Sequence, residues 1–162
     1  VAGQLWSFVL TYPPMSKATF APVLGAIAKA RGSYQTFTII PPNLKNPLGT
    51  QTADTVIATN TAIGSTSIPI SGATVSATFV AGDIIKFSNH NKVYMLTDNT
   101  AADGGGLAFV SITPPLITAI TTSHTAKHTN VPFTVALSGE LQEFKTTVDG
   151  FIRYELDVEE VF

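Results

Sequence analysis

Two alternating stretches at opposite ends of the chain constrain the fold more than any other feature. From Phe151 to Val161, Ile152, Tyr154, Leu156 and Val158 fall on one side of an extended chain, and Arg153, Glu155, Asp157 and Glu159 fall on the other, because successive strand side chains point to opposite faces. One face of such a strand is core and the other is wet, or charged against a partner. From Gln4 to Tyr12 the same period puts Trp6, Phe8, Leu10 and Tyr12 on a heavily aromatic core face and Leu5, Ser7, Val9 and Thr11 opposite. Pro13-Pro14, with no N–H to donate to a ladder, is expected to end this first strand. The simplest arrangement lays the last strand beside the first. The two ends then build one discontinuous β-domain, and the middle of the chain is carried as an insert.

Composition bounds what such a protein binds. The 162 residues are 44% hydrophobic and 12% charged, with no cysteine and a formal net charge of -2. A chain this long buries roughly 70% of its extended surface on folding and needs no disulfide or metal staple. Its charged fraction is about half the usual ~25%. The nine Lys and Arg are spread singly, so no basic stripe exists to neutralise phosphates, and nucleic acid is not expected as a ligand. Apolar runs fall far short of the ~20 residues that span a bilayer, and no charged segment precedes an apolar one at the start. No membrane insertion and no signal peptide are therefore expected. The chain opens on Val1 and enters a strand pattern almost at once, which points to processing or trimming and leaves the true N-terminus open.

Between the two end strands, Ser16 is a candidate N-cap for an amphipathic helix with Phe20, Val23, Leu24 and Ile27 on one stripe. The helix is expected to end near Arg31, with Gly32 supplying the positive φ that closes it. Pro22 requires either a late start, with Thr19 as the cap, or a kink. After a short strand from Thr36 to Ile40, the stretch Pro41 to Gly49 is turn chemistry and marks a boundary. A segment of different texture follows, with short strands expected at Thr55 to Thr59, Thr66 to Ile70, Asp83 to Ser88, Lys92 to Thr97 and Leu107 to Thr113. Asn89-His90-Asn91 and Asp103 to Gly106 fit tight hairpins. Pro114-Pro115 closes the segment, and Val131 to Leu137 is a further strand. The fold class is thus mainly β: a discontinuous β-sandwich or barrel over 1–53 and 117–162, one short α-helix, and a small inserted antiparallel β-barrel over 54–116.

Few residues offer reactive chemistry. His124 and His128 have the spacing of two ligands on a helix face, but the surrounding threonines make them exposed loop histidines. Asp98 and Asp103 flank Asn99 in a Gly-rich turn without the spacing of a calcium loop, and they are expected to cap their own backbone. Glu140 and Glu143 read as a solvated turn. No G-x-S-x-G elbow is present. The chain is expected to be no enzyme and to need no metal or cofactor. Of Trp6, Tyr12, Tyr34, Tyr94 and Tyr154, which could stack on sugars, Tyr94 beside the His90 hairpin is the one expected to be exposed. His90 and Tyr94 are therefore the candidate tip of the insert.

The order of these features resembles a known family. Leu5 to Ala18, with its Trp strand, diproline and Ser16-Lys17, then a short helix ending in Ala30-Arg31-Gly32 and the Thr36-Phe37 strand, is similar to the opening of distal tail proteins of long-tailed bacteriophages. Ala81 to Phe87, Lys92-Val93-Tyr94, the Gly104 to Gly106 turn and Val110 to Leu116 resemble the small β-domain inserted in many of them. The acidic close from Gly150 to Phe162 is similar as well. Pro22 departs from the pattern, and so does the lack of a strand before the Trp strand. The resemblance implies a structural virion protein at the tail tip, made in the bacterial host cytoplasm. It implies a homo-oligomeric, commonly hexameric ring between the tail tube protein and the hub or fibre proteins, with an axial channel for DNA. Arg153, Glu155, Asp157 and Glu159 are then the candidate interface or lumen face. The alternative is a carbohydrate-binding module for host-surface attachment, with the sugar held at His90 and Tyr94.

Overall fold

The computed structural model describes residues 4–139, 145–146 and 149–162. They form two compact units, one of residues 39–133 with 4 and 162, the other of 5–38 and 134–161. The strands and helix built from the two ends are β1 (Ser7–Met15), α1 (Lys17–Ala30), β2 (Phe37–Ile39), β11 (Phe133–Leu137), β12 (Lys145–Thr146) and β13 (Ile152–Glu160). Between them lie β3 (Thr55–Ile57), β4 (Ser67–Ser71), β5 (Thr78–Phe79), β6 (Ile84–Phe87), β7 (Val93–Leu96), β8 (Thr100–Ala101), β9 (Ala108–Thr113) and β10 (Thr125–Lys127).

The end strands meet as their alternation requires. The open sheet runs β1-β13-β11-β2, with β12 also on β13. β1 and β13 pair antiparallel from Ser7 opposite Glu159 to Tyr12 opposite Tyr154. Tyr154, Leu156 and Val158 are buried, while Arg153, Glu155, Asp157 and Glu159 are exposed. On β1 the expected core face of Trp6, Phe8, Leu10 and Tyr12 is only partly buried. The diproline does not end the strand: the ladder bulges between Tyr12 and Met15 and resumes with Met15 opposite Ile152. Because β1 lies at the edge of the sheet, a missing N–H can face outward without breaking a ladder bond.

The helix starts early rather than late. Ser16 is its N-cap, with the Thr19 N–H donating to Ser16 Oγ at 3.3 Å, and the helix runs on through Pro22. Phe20 is fully buried, its ring 5.7 Å from that of Tyr12 and 5.5 Å from that of Tyr154. Burying an aromatic side chain of this size is worth roughly 1.5–3 kcal/mol, so Phe20 anchors α1 on the β1–β13 pair. The left-handed residue at the helix end is Arg31 itself, at φ 49°, followed by Gly32 at 66°.

β3, β4, β6, β7, β9 and β10 close into a barrel in the order β10-β3-β4-β9-β7-β6, around a core that includes Ile57, Ile70, Phe87, Tyr94, Val110 and Ile120. The expected end of the insert at residue 116 is corrected. β10 pairs with both β3 and β6 and completes the barrel, and Ile120 and Ala126 belong to its core. Only Ala126 of β10 points inward, so the strand carries no apolar period to read. The start of the unit is fastened by Asp83, whose carboxylate accepts the N–H groups of Leu48 at 2.6 Å, Gly49 at 2.9 Å and Val80 at 3.3 Å. Its two ends are joined where the Asn130 N–H donates to the Lys45 carbonyl at 2.8 Å.

Candidate functional site

The β6–β7 hairpin brings His90 and Tyr94 together, with His90 half-buried and Tyr94 in the barrel core. Tyr94 is fully buried, which corrects the expectation that it is exposed. Its strand has Val93 and Tyr94 buried in succession, so a solvent face cannot be read from alternation. The Tyr94 hydroxyl accepts the Ile117 N–H at 3.2 Å and lies 2.8 Å from His90 Nε2. His90 Nδ1 is 2.7 Å from Asn89 Oδ1, and Asn89 Nδ2 donates to the Ala119 carbonyl at 3.0 Å. The Ala119 bond fixes the Asn89 amide, so its oxygen faces the ring and Nδ1 carries the imidazole proton. Nε2 then accepts from Tyr94. This relay uses the neutral imidazole, and burial, helped by the positive charge of Lys86 and by His124, lowers the His90 pKa to about 4. Its physical role is to tie the 117–119 segment to the hairpin. A ring with no exposed face cannot stack on a sugar.

Beside the hairpin is a cleft of about 420 Å³ lined by Asp54, Lys86, Asn91, Thr125, Lys127 and Pro132, among others. Lys86 Nζ donates to Asn91 Oδ1 at 3.3 Å and to the Pro132 carbonyl at 3.2 Å. The second candidate surface is the outer face of β13. Glu155, Asp157 and Glu159 are exposed opposite Thr11, Val9 and Ser7 of β1. None of those three β1 residues carries a charge, so the acidic stripe is not neutralised from that strand. Arg153 is opposite Lys145 on β12.

The remaining sequence candidates separate. His128 is buried rather than exposed, 3% accessible, with Nε2 2.9 Å from Thr55 Oγ1 and its ring against Phe79. Burial lowers its pKa to about 4, against the opposing effect of Asp54 and Asp83. His124 Nδ1 accepts the Thr121 N–H at 3.0 Å. Asp103 caps its own turn, accepting the Gly105 and Leu107 N–H groups at 2.8 and 2.9 Å, and the Leu107 and Gly105 donors lower its pKa. That turn does not join paired neighbours, since β8 pairs with β5. Asp98 accepts the Thr97 hydroxyl. Among the described residues no three His, Asp or Glu converge as metal ligands, and no helix is long and apolar enough to cross a membrane. Glu140 and Glu143 lie outside the described residues. The tyrosine that is open to solvent is Tyr34, 91% accessible.

Sequence reasoning missed three buried charges, Asp83 at the start of the inserted unit, Lys92 and Glu160. Lys92 is fully buried, donates to the Gln4 carbonyl and has its ammonium 4.8 Å from the centroid of the Phe162 ring. Glu160 is 2% accessible and accepts the Trp6 N–H through Oε2 at 3.4 Å. Glu160 was legible in part: it breaks the polar-outward alternation of β13 by following Glu159. Nothing in the sequence marks Lys92.

A closed six-stranded barrel, whose strands lie in sequence between those of an open sheet, defines a structural class of β-protein in which side-chain networks brace loops. Residues 46–131, just over half of the chain, match the family model described as "Distal tail protein pb9, B domain". The chain belongs to that phage distal tail family and is a structural component of the virion tail. No curated protein matches it.

Proposed function

We propose that the protein is a subunit of a closed ring at the tail tip that joins the tail tube to the hub or fibre assembly and leaves an axial channel for DNA. The observation that carries this reading is the contrast between its two β-structures. The barrel is closed, whereas among the described residues the β1-β13-β11-β2 sheet ends on β1 at one side and β2 at the other. An unpaired strand edge is a template for another chain, and a head-to-tail contact that closes on itself makes a ring. The stripe of Glu155, Asp157 and Glu159 suits the wall of such a channel, because a field of carboxylates repels DNA phosphates and lets the duplex slide. Tail-tube, hub and fibre proteins are the remaining partners. The virion tail tip is the site of action, after synthesis in the bacterial cytoplasm.

The test is electron microscopy of the purified protein, and of particles containing it, with averaging that imposes no symmetry. Rings beneath the tail tube support the proposal, and the variant Glu155→Lys/Asp157→Lys is expected to lose them while keeping its unfolding midpoint. Monomers decorating the particle's periphery would overturn it. Rings that form unchanged in the variant would remove the β13 face from the assembly.

A further inference from the structure

Charge is segregated within the unit of residues 5–38 and 134–161. Every charged residue in 5–38, Lys17, Lys29 and Arg31, is basic, whereas β13 carries Glu155, Asp157, Glu159 and Glu160 against the single Arg153. The two sets lie on opposite sides of the β1–β13 pair. α1 covers the core side, with the Phe20 ring against those of Tyr12 and Tyr154. Glu155, Asp157 and Glu159 alternate with the buried residues of β13 and are exposed on the other side. Two oppositely charged surfaces with a sheet between them cannot meet within one subunit. Each also leaves apolar area in water. Val9 is 63% accessible and stands opposite Asp157, with the Ser7–Glu159 and Thr11–Glu155 pairs on either side, so the acidic stripe has an apolar centre. Just past the end of α1, the exposed Tyr34 follows Lys29 and Arg31, which are exposed as well. The turn that presents Tyr34 is fixed, because the Gln35 N–H donates to the Ala30 carbonyl at 3.2 Å and the Arg31 N–H to that of Ala28 at 3.3 Å. A ring held in place beforehand loses little freedom when it is covered, and Tyr and Arg are among the side chains that carry most contact energy between proteins.

We propose that the C-terminal end of α1 docks on the outer face of the β1–β13 pair of a second copy of the chain. The Tyr34 ring covers Val9, and Lys29 and Arg31 meet the carboxylates of Glu155, Asp157 and Glu159, a complementarity that fixes partner and register. The assignment rests on the ring reading and deepens it by naming the two surfaces that meet. Because they differ and lie on opposite sides of one sheet, the contact runs head to tail, the kind that closes into a ring. Every subunit boundary is also a seam in the channel wall, so a stripe on that wall lies within reach of the next copy.

The chain has no cysteine, so introduced thiols report the contact directly. Ser33→Cys and Ser7→Cys lie beside the two surfaces and leave Tyr34 and Val9 in place. Mixed and treated with a short bis-maleimide, these two variants are expected to link to each other, and neither alone is expected to link to itself. Self-linking of either variant would show a symmetric contact and overturn the assignment. In sedimentation velocity at one fixed ionic strength, Lys29→Glu/Arg31→Glu is expected to weaken self-association at least about a hundredfold, since it sets like charges against one another. Adding Glu155→Lys/Asp157→Lys to the same chain is expected to restore it, and unfolding midpoints separate assembly from folding. A loss that the second pair of substitutions does not rescue would overturn the assignment. Rings that persist in Lys29→Glu/Arg31→Glu, with no linking in the mixture, would overturn it and leave the ring itself standing. A wild-type chain that stays monomeric in solution and on the particle would overturn both.

Discussion

Gly106 has a φ of +76°, and a Cβ added there would lie 2.5 Å from the Ala73 carbonyl oxygen. Both facts exclude a side chain, the first through the left-handed backbone and the second through contact with main chain that cannot swing aside. Gly104, two residues earlier in the same run, has neither constraint, with nothing within 4 Å of its added Cβ. Gly106→Ala is therefore expected to lose about 2 kcal/mol or more in urea unfolding, and Gly104→Ala to stay near wild type. The run was legible in the sequence as a turn; which glycine the turn cannot lose was not, because that depends on Ala73, far away in the chain. Titration is argued at the same scale. The pKa of His128 is about 4 in the folded protein against 6.5 unfolded, so between these values the unfolded chain binds the proton and the folded one does not. Stability is thus complete above pH 6.5 and falls as the pH drops toward 4, by on the order of 3 kcal/mol from this site. His90 shifts in the same direction. Thermal unfolding at pH 7 and at pH 4.5 checks this, with the lower midpoint expected at pH 4.5.

At the level of elements, what was legible follows from burial on one face. β13 and β1 are half-buried, so their alternation gave their pairing and the span of β13, whereas β1 runs on through the diproline to Met15. α1 was read from its stripe, and Phe20 and Ile27 are buried as that stripe requires. Legibility failed where an element is buried on both sides, as at Val93-Tyr94, or too short to hold a period, as in the three residues of β10. Of the two outcomes that Pro22 allowed, the late start does not occur. The helix continues through Pro22, yet a proline there has no N–H for the Ala18 carbonyl one turn back. Pro22→Ala is expected to raise stability by about 1–3 kcal/mol, reduced by the greater freedom that alanine gives the unfolded chain. Equal or lower stability by urea titration would show that the proline ring is held by contacts that compensate.

On the scale of the whole molecule, the pairing of β1 with β13 was legible because two strands at opposite ends each needed a neighbour. The true extent of the insert was not, since it is settled by hydrogen bonds between residues distant in sequence. Those bonds carry a consequence of their own. Where the chain comes into the inserted unit at Lys45 and goes out at Asn130, the two backbones are one hydrogen bond apart, and the matched family segment spans nearly the same residues. A module whose two leads leave side by side asks almost nothing of its host: closing so small a gap takes only a short loop, at little entropic penalty. Residues 46–131 are thus built as a cartridge, one that can be exchanged for another of different surface while the socket stays as it is.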